Sequence, residues 1–333
     1  MHKGMMGLLS AAVMVAGMAT SALAADKYVI GYDNYFMGNS WSVQLAAEFE
    51  AEAERMADRV DVVYVESEGK TEKQISNIED LITKGVDAII TTPNSPTALI
   101  PVLKKARAAG IKVVLLASTI KSQDYDALLT VDDVAIGTAG ATWLVDQLGG
   151  EGKIIALNGI AGISVSDDRY KGAKAVFDAN PGIQILSAVD ASWDYAQGKL
   201  AVSNLLAANP EIDGVWSQGG AMTLGAIDAF EAAQRPLVPM TGEDNNGYLK
   251  RWKALESTGF KSIGAAKPTW LGSEALKVTV DLLDGKDVPR DTLLPVPTIT
   301  EANIDEYVKP DLSDSFWAST RLSDDQVKAT FAN

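Results

Sequence analysis

Aromatic and amide side chains crowd a short loop near the start of the chain. The sequence Tyr-Asp-Asn-Tyr-Phe-Met-Gly-Asn-Ser-Trp, residues 32–41, directly follows the apolar run 28–31, where a strand should give way to a helix. An aromatic ring suits an apolar ligand face, and an amide can both donate and accept hydrogen bonds. The loop therefore indicates binding of a small ligand, with packing of these rings in the core as the structural alternative.

Two pairs of adjacent acids, Asp132-Asp133 and Asp167-Asp168, could serve acid–base catalysis, although adjacent acids are also common in ordinary loops. Histidine occurs only at position 2, and the chain contains no cysteine. The chain beyond residue 24 therefore cannot use Ser-His-Asp or Cys-His catalysis, His or thiolate metal ligands, or disulfides. We predict that the protein is not an enzyme and that it has no metal site and no cofactor.

The order of apolar runs predicts an α/β fold, because short runs that suit buried parallel strands alternate with helical segments. One helix is predicted to begin with a capping box at Thr71–Gln74 and to stop at Gly85. The predicted strands are Val29–Tyr32, Val60–Val65, Ala88–Thr91, Val113–Ala117, Leu128–Val131, Lys153–Leu157, Ile183–Ala188, Gly214–Ser217, Leu237–Gly242 and Ser262–Ala266. These form two successive βαβ series, each expected to build a parallel sheet flanked by helices.

Ligands of such sheets bind at the carboxyl ends of the strands, and residues 32–41 lie at one of these ends. No Gly-x-Gly-x-x-Gly or Walker-type loop opens any of the predicted helices. The pattern therefore argues against a dinucleotide or ATP as the ligand.

The first two dozen residues have the composition of a secretory signal peptide. Lys3 precedes an apolar stretch at residues 8–17, which is too short to span a bilayer, and Ser21-Ala22-Leu23-Ala24 has the A-x-A form of a cleavage site. We predict a signal peptide at residues 1–24 and a soluble mature chain. The formal net charge of −15, one unit lower after loss of Lys3, disfavours nucleic acid and anionic lipid as partners.

Five longer motifs together resemble the periplasmic sugar-binding proteins of ABC importers, of the ribose-binding type (the type I periplasmic binding protein family). The motifs are Gly-Asn-Ser-Trp at 38–41, KGVDAIITTPNSPTAL at 84–99, AAGIKVVLL at 108–116, GIAGISVSDDRYKG at 159–172 and IDGVWSQGGAMTLGAIDA at 212–229. The resemblance covers nearly the whole chain beyond residue 24. It implies two Rossmann-like lobes joined by a three-strand hinge, with a ligand cleft between them.

The same resemblance implies the lobe boundaries. The N-terminal lobe would contain residues 25–131 and 267–295, and the C-terminal lobe with the tail would contain residues 132–266 and 296–333.

Five residues of this chain match ligand-binding positions of the family that it resembles. The resemblance implies hydroxyl recognition by Asn39, Arg169 and Asp244, and sugar-face contacts by Trp41 and Trp193 from opposite lobes. Weaker candidates are Tyr35, Ser118, Glu243 and Lys267. The structural alternatives are core packing for the tryptophans, an ion pair with Asp167 or Asp168 for Arg169, helix capping for Asn39 and a turn for Asp244.

The sequence departs from the family pattern at several positions expected to read hydroxyl groups. Ala117 and Ser118 replace an Asp-Arg pair, Gly219-Gly220 replaces Asn-Asp, and a hinge glutamine is replaced by Ala266. The expected ligand is therefore a sugar alcohol, a deoxy or branched sugar, or a larger molecule that uses the space at the two glycines.

The resemblance implies a monomeric solute-binding protein in a Gram-negative periplasm, with a carbohydrate or polyol ligand and a membrane permease as its partners. Alternative interpretations are a ligand sensor for a chemoreceptor or kinase and a periplasmic glycosidase. A sugar-responsive repressor shares the architecture, but it would need a helix-turn-helix where this chain has the predicted signal peptide.

Overall fold

The computed structural model describes Met1 and residues 27–332, so that the predicted signal peptide lies outside the described residues apart from Met1. The strands are β1 (Tyr28–Asn34), β2 (Val60–Glu66), β3 (Ala88–Thr91), β4 (Lys112–Leu116), β5 (Ala127–Val131), β6 (Gly152–Asn158), β7 (Ile183–Asp190), β8 (Gly214–Ser217), β9 (Met240–Glu243), β10 (Ser262–Ala265), β11 (Asp291–Leu294) and β12 (Thr298–Ile299). The α-helices are α1 (Ser40–Arg55), α2 (Thr71–Lys84), α3 (Ile100–Ala108), α4 (Asp133–Gln147), α5 (Ser164–Ala179), α6 (Tyr195–Ala208), α7 (Gly220–Ala232), α8 (Asn246–Leu255), α9 (Leu271–Leu283), α10 (Ile304–Tyr307) and α11 (Asp324–Phe331).

The strands form two separate six-stranded sheets. The first has the order β11-β5-β4-β3-β1-β2, and all of its strand pairs are parallel. The second has the order β12-β10-β9-β8-β6-β7 and is parallel except where β12 pairs antiparallel with β10. The two-lobed α/β fold predicted from the sequence is thus confirmed.

Helices cover both faces of each sheet, which explains why the strands are continuous apolar runs. In the first lobe, α1 and α9 pack on one face and α2 and α3 on the other. In the second lobe, α6, α7 and α8 cover one face and α4 and α5 the other. A strand buried on both faces gains from apolar residues at every position, so β3 is buried throughout.

The chain passes between the two sheets three times in the segment up to β12. It crosses after β5, after β10 and after β11. Tail residues 300–332 follow the last of these crossings. The sequence prediction placed the whole tail with the C-terminal lobe, but Leu322, Val327 and Phe331 bury their side chains beside Ala51 of α1, in the N-terminal lobe.

The predicted capping box of α2 is wrong. Lys70 is the N-cap residue and makes no side-chain cap, and Thr71 is already the first helical residue. The Gln74 amide instead donates to Asp33 Oδ2 at 2.7 Å and to the Thr91 hydroxyl at 3.2 Å. Asp33 is buried, and a buried carboxylate is costly without hydrogen-bond donors. The Gln74 side chain therefore binds Asp33 and does not cap the helix. The helix does stop at Gly85, which has a left-handed φ of 69°.

A buried carboxyl group ties the tail to the end of β9. Asp244 Oδ2 accepts a hydrogen bond from the backbone N–H of Ser319 at 2.8 Å, and Oδ1 is buried without a hydrogen-bond partner among the described residues. Burial raises the pKa of Asp244 well above its ordinary value, against the smaller opposing effect of the Ser319 N–H. The fold thus holds this group more readily as the neutral acid.

Asp244→Asn is expected to stabilise the protein at neutral pH. The folded state holds the Asp244 proton more tightly than the unfolded chain does. The contribution of Asp244 to the stability of the fold therefore decreases as pH rises from about 4 toward the folded-state pKa. The amide keeps an acceptor for Ser319 and carries no charge. The melting temperature should rise at pH 7, by roughly 2–4 °C per kcal/mol, and should change little at pH 4.

Thermal unfolding at both pH values measures this effect, with exposed Asp311→Asn as the matched control. A variant that is less stable than the wild type at pH 7 would show that the charged form is required.

Candidate functional site

The strand ends of both sheets face a small space between the lobes, with a cavity volume of about 40 Å³. Its lining residues come from both lobes, from the second crossing and from the tail. They are Tyr35, Asn39, Trp41, Thr92, Ala117, Ser118, Ile163, Val165, Arg169, Trp193, Glu243, Lys267 and Trp317. Eight of the nine candidate residues named from the sequence are in this set, and Asp244 is absent from it. Whether they bind a ligand remains a prediction.

Asn39 and Trp41 lie where β1 hands over to α1. The Asn39 side chain caps this helix by accepting from the Ser42 N–H at 2.9 Å, so the structural alternative named above holds while the residue also lines the space. The Trp41 indole N–H donates to the Lys267 carbonyl at 3.3 Å, and Lys267 Nζ lies 5.1 Å from the centroid of the ring. Trp41 is therefore oriented by the second crossing.

Trp193 approaches from the other lobe, after β7. Its backbone is left-handed, with φ of 54°, and its indole packs on Gly159 and Gly219. A Cβ at Gly219 would lie 2.6 Å from indole Cδ1, and a Cβ at Gly159 would collide with the ring. The space at Gly219 therefore accommodates Trp193. This placement corrects the expectation that a larger ligand uses that space.

Arg169 is the most buried charged group of the site, at 2% exposure. From the second turn of α5, its Nε donates to Asp133 Oδ1 at 2.8 Å, and Nη1 contacts Glu243 Oε1 at 2.8 Å and the Gln218 carbonyl at 2.6 Å. Within the described residues Nη2 makes no hydrogen bond, and the Arg169 residue lines the space.

Two buried cations, Arg169 and Lys267, lie beside two buried anions, Asp133 and Glu243. Lys267 Nζ lies 3.6 Å from Asp133 Oδ1, beside the ion pairs of Arg169. Burial opposes the Arg169 charge, but Glu243 and Asp133 outweigh this effect and raise the pKa of Arg169. Burial lowers the pKa of Lys267, with Asp133 opposing the shift. The cluster has no net formal charge.

The acid at the end of β9 that faces the space is Glu243. Side chains of successive strand residues point to opposite sides, so Glu243 reaches Arg169 while Asp244 turns to Ser319 in the tail. The resemblance assigned the hydroxyl-accepting role to Asp244, and the structure presents its neighbour instead.

Tyr35 and Ser118 connect the two lobes directly. Tyr35, in the N-terminal lobe, packs with Ile163 and Val165 of the C-terminal lobe. Ser118 Oγ lies 3.0 Å from Ser164 Oγ, which also accepts from the Thr119 N–H at 2.9 Å. Burial in this contact raises the pKa of Tyr35 to about 12. The contacts of Tyr35 and Ser118 show that the lobes are closed on each other.

Sequence reasoning missed Thr92, Ile163, Val165 and Trp317. Thr92 follows β3 and could have been found from the rule that sites lie at strand ends. Trp317 belongs to a tail whose path cannot be predicted from the local sequence pattern, although the adjacent aromatics within Ser-Phe-Trp-Ala-Ser were a signal. Ile163 and Val165 look like ordinary helix-start residues.

The four acids of the two pairs occupy different environments. Asp132 caps α4 by accepting from the Ala135 N–H at 2.9 Å, and Asp133 pairs with Arg169 and Lys267. Asp167 is exposed on α5 and Asp168 is half-buried. Across residues 27–332 no group of acids and histidines has the geometry to hold a metal ion, and no helix has the length and apolarity to cross a membrane.

Comparison with known proteins agrees with this architecture. The xylitol-binding protein of Mycolicibacterium smegmatis is 30% identical over 304 residues, covering 91% of this chain and 86% of the relative. Ribose import binding protein RbsB of Bacillus subtilis is 26% identical over 275 residues, covering 83% and 88% respectively. A solved ABC transporter solute-binding protein from Mycobacterium smegmatis with bound glycerol is 26% identical and has a TM-score of 0.78, covering 88% of this chain and all of its own.

The family described as "Periplasmic binding protein domain" matches residues 30–287, which include both sheets except β11 and β12. This protein therefore belongs to the periplasmic binding protein domain family.

Proposed function

We propose that this protein is a periplasmic solute-binding protein that captures a neutral sugar or sugar alcohol by closure of its lobes and delivers it to the permease of an ABC importer. One observation carries the proposal: Trp41 and Trp193 reach the same interlobe space from opposite lobes, and Arg169 lines that space with them. Rings suit the C–H faces of a sugar or polyol, and a guanidinium suits its oxygens.

The charge balance of the site favours an uncharged ligand. Arg169 and Lys267 are already paired with Glu243 and Asp133. A ligand carboxylate or ammonium would have to separate these buried pairs, and a buried charge without a partner is costly. A neutral polyhydroxyl compound can use the remaining donors and acceptors without disturbing them.

The interlobe contacts support capture by closure. A ligand held between the lobes touches both walls only when they are shut, so it binds the closed state more tightly and shifts the equilibrium toward closure. The relatives include proteins named for xylitol and ribose, which are both neutral. The chemistry proposed is binding alone, by a monomer.

A thermal-shift screen tests the ligand class. Xylitol, ribitol, D-ribose, D-allose, D-fructose and myo-inositol form the neutral set, and xylonate and glucuronate are the charged counterparts. A ligand that binds only the folded state stabilises it by about 2.7 kcal/mol at 100 times Kd. At least one neutral compound should raise the melting temperature, and the sugar acids should not.

Amino acids and nucleosides serve as controls in the same screen. If they raise the melting temperature and no carbohydrate or polyol does, the proposed substrate class is wrong.

Trp41→Ala and Trp193→Ala should each weaken binding of the best compound from the screen. Loss of one aromatic contact is on the order of 1.5–3 kcal/mol, which corresponds to roughly 10- to 150-fold in affinity. Isothermal titration calorimetry measures the affinity, and unfolding without ligand reports on stability. Trp143→Ala, a half-buried tryptophan packed against the core under α4 and α5, is the matched control.

Unchanged affinity together with a large loss of stability would assign both rings to packing alone.

Arg169→Ala should reduce both affinity and stability. It removes the ligand donor and leaves Asp133 and Glu243 without their main partner, a change that typically costs about 3–5 kcal/mol for a buried pair. Arg169→Lys retains a charge but loses the planar fork, so it should recover most of the stability and little of the affinity. Wild-type affinity in Arg169→Lys would show that the ligand does not use the fork.

A further inference from the structure

The first part of the tail belongs to the C-terminal lobe. Its β12 pairs with β10, and α10 packs on α8. The Asn246 side chain at the start of α8 then binds the chain that follows: Oδ1 accepts from the Lys309 N–H at 2.9 Å, and Nδ2 lies within 3.1 Å of the carbonyls of Lys309, Leu312 and Ser313. The Gly247 and Asn246 N–H groups also donate to the Asp314 and Phe316 carbonyls, at 3.1 and 2.8 Å, so this lobe holds the tail backbone up to residue 316.

Two buried side chains of α1 bind the tail to the N-terminal lobe, at Trp317 and again at residues 320–321. The Gln44 amide forms a two-way pair with the Trp317 backbone, donating to its carbonyl and accepting from its N–H, both at 2.9 Å. Glu48 Oε1 accepts from the Thr320 hydroxyl at 2.5 Å and the Arg321 N–H at 2.9 Å. After these contacts α11 packs beside Ala51 on the same helix. Residues 316–319 contact both lobes, so the chain crosses between the lobes a fourth time in this segment.

This crossing brings an indole to the ligand space. Trp317 is 4% exposed, lines the space and donates from Nε1 to the Ser40 hydroxyl at 2.9 Å. Its backbone is fixed by Gln44, and the next two residues bind Asp244: the Ala318 N–H donates to the Asp244 carbonyl at 3.2 Å and the Ser319 N–H to its carboxyl group at 2.8 Å. Partners from both lobes thus position the ring.

We propose that residues 313–332 are part of the binding apparatus, a fourth interlobe connection whose Trp317 forms a third aromatic wall of the sugar or polyol site. This inference rests on the proposed function for the identity of the ligand, but the fourth connection can be tested without one. The segment lies outside the region of the family match, residues 30–287, so Trp317 is not part of the matched sequence.

Two consequences follow from the connection. Residues 320–332 move with the N-terminal lobe when the lobes open, although they come after the last strand of the C-terminal lobe. Residues 316–319 must absorb the change in angle, as the other three crossings do, so the position of the Trp317 ring depends on closure.

Spin-label distances test the connection in the full chain. The chain has no cysteine, so pairs of exposed alanines changed to cysteine are labelled uniquely. Ala57 reports on the N-terminal lobe, Ala233 on the C-terminal lobe and Ala329 on the tail helix; all three are exposed. The 57–329 distance should be single and narrow with or without 10 mM xylitol, and wherever the 57–233 distance varies, the 233–329 distance should vary with it.

A 57–329 distance that broadens or shifts while 233–329 stays constant would overturn the fourth connection, because the tail would then travel with the C-terminal lobe. This outcome is independent of ligand identity. If no compound of the carbohydrate screen binds, the proposed function fails, and the distances in the protein without xylitol still decide where the tail is attached.

Trp317→Ala tests the wall, with xylitol as the probe, or D-ribose if xylitol gives no thermal shift. We expect affinity to fall about 10- to 100-fold, as for loss of one aromatic contact. Trp317→Phe keeps an apolar face and should stay within about fivefold of the wild type. The matched control is Trp270→Ala, whose ring lies 3.6 Å from the Arg321 guanidinium in the tail but does not line the space.

Two results would contradict the proposal that Trp317 forms a wall of the ligand site: equal loss of affinity in Trp270→Ala and Trp317→Ala, or wild-type affinity in Trp317→Ala. The first result would mean that any disturbance of the tail weakens binding, and the second that the ring does not touch the ligand.

Discussion

The site depends on keeping the charge of a buried guanidinium compensated. Arg169 is almost fully buried, and an uncompensated charge at such a place would cost several kcal/mol. Its partners come from the start of α4, the end of β8 and the end of β9, with Lys267 of the second crossing beside them. One electrostatic requirement therefore fixes several strand ends and two of the interlobe crossings relative to each other.

Close packing of α4 and α5 places Arg169 where these partners can reach it. A Cβ at Gly137 would collide with the Arg169 carbonyl, and a Cβ at Gly172 would collide with the Val134 carbonyl. Each helix thus has a glycine at the point where the backbone of the other passes. A larger residue at either position would push the helices apart and pull Arg169 away from Asp133, although neither glycine touches the ligand space.

Much of the fold was readable from sequence because its strands are buried on both faces, which leaves an unbroken apolar run at each one. The predicted strands at Ala88–Thr91 and Gly214–Ser217 have the same ends as the observed ones. β11 and β12 were missed because they are sheet-edge strands with mixed burial patterns and no such run. The residues that line the space were largely predictable because strand ends in α/β sheets converge, but a one-residue choice between Glu243 and Asp244 needs the strand orientation. Trp317 needs the path of a tail that is ordered by long-range hydrogen bonds.

Closure and ligand selection are separable in this architecture. Tyr35 packing on Ile163 and the Ser118–Ser164 hydrogen bond join protein to protein, so they favour the closed state equally for every ligand. Such contacts set how readily the lobes shut but cannot distinguish one sugar from another. In the proposed site, selectivity comes from groups whose contacts depend on the ligand itself, namely the ring faces and the donors of Arg169 and Asn39. A ligand shifts the equilibrium only by its difference in affinity between open and closed states. Because the charges of the site are already satisfied among themselves, that difference arises from shape and hydrogen bonding, and a neutral polyhydroxyl compound can supply both.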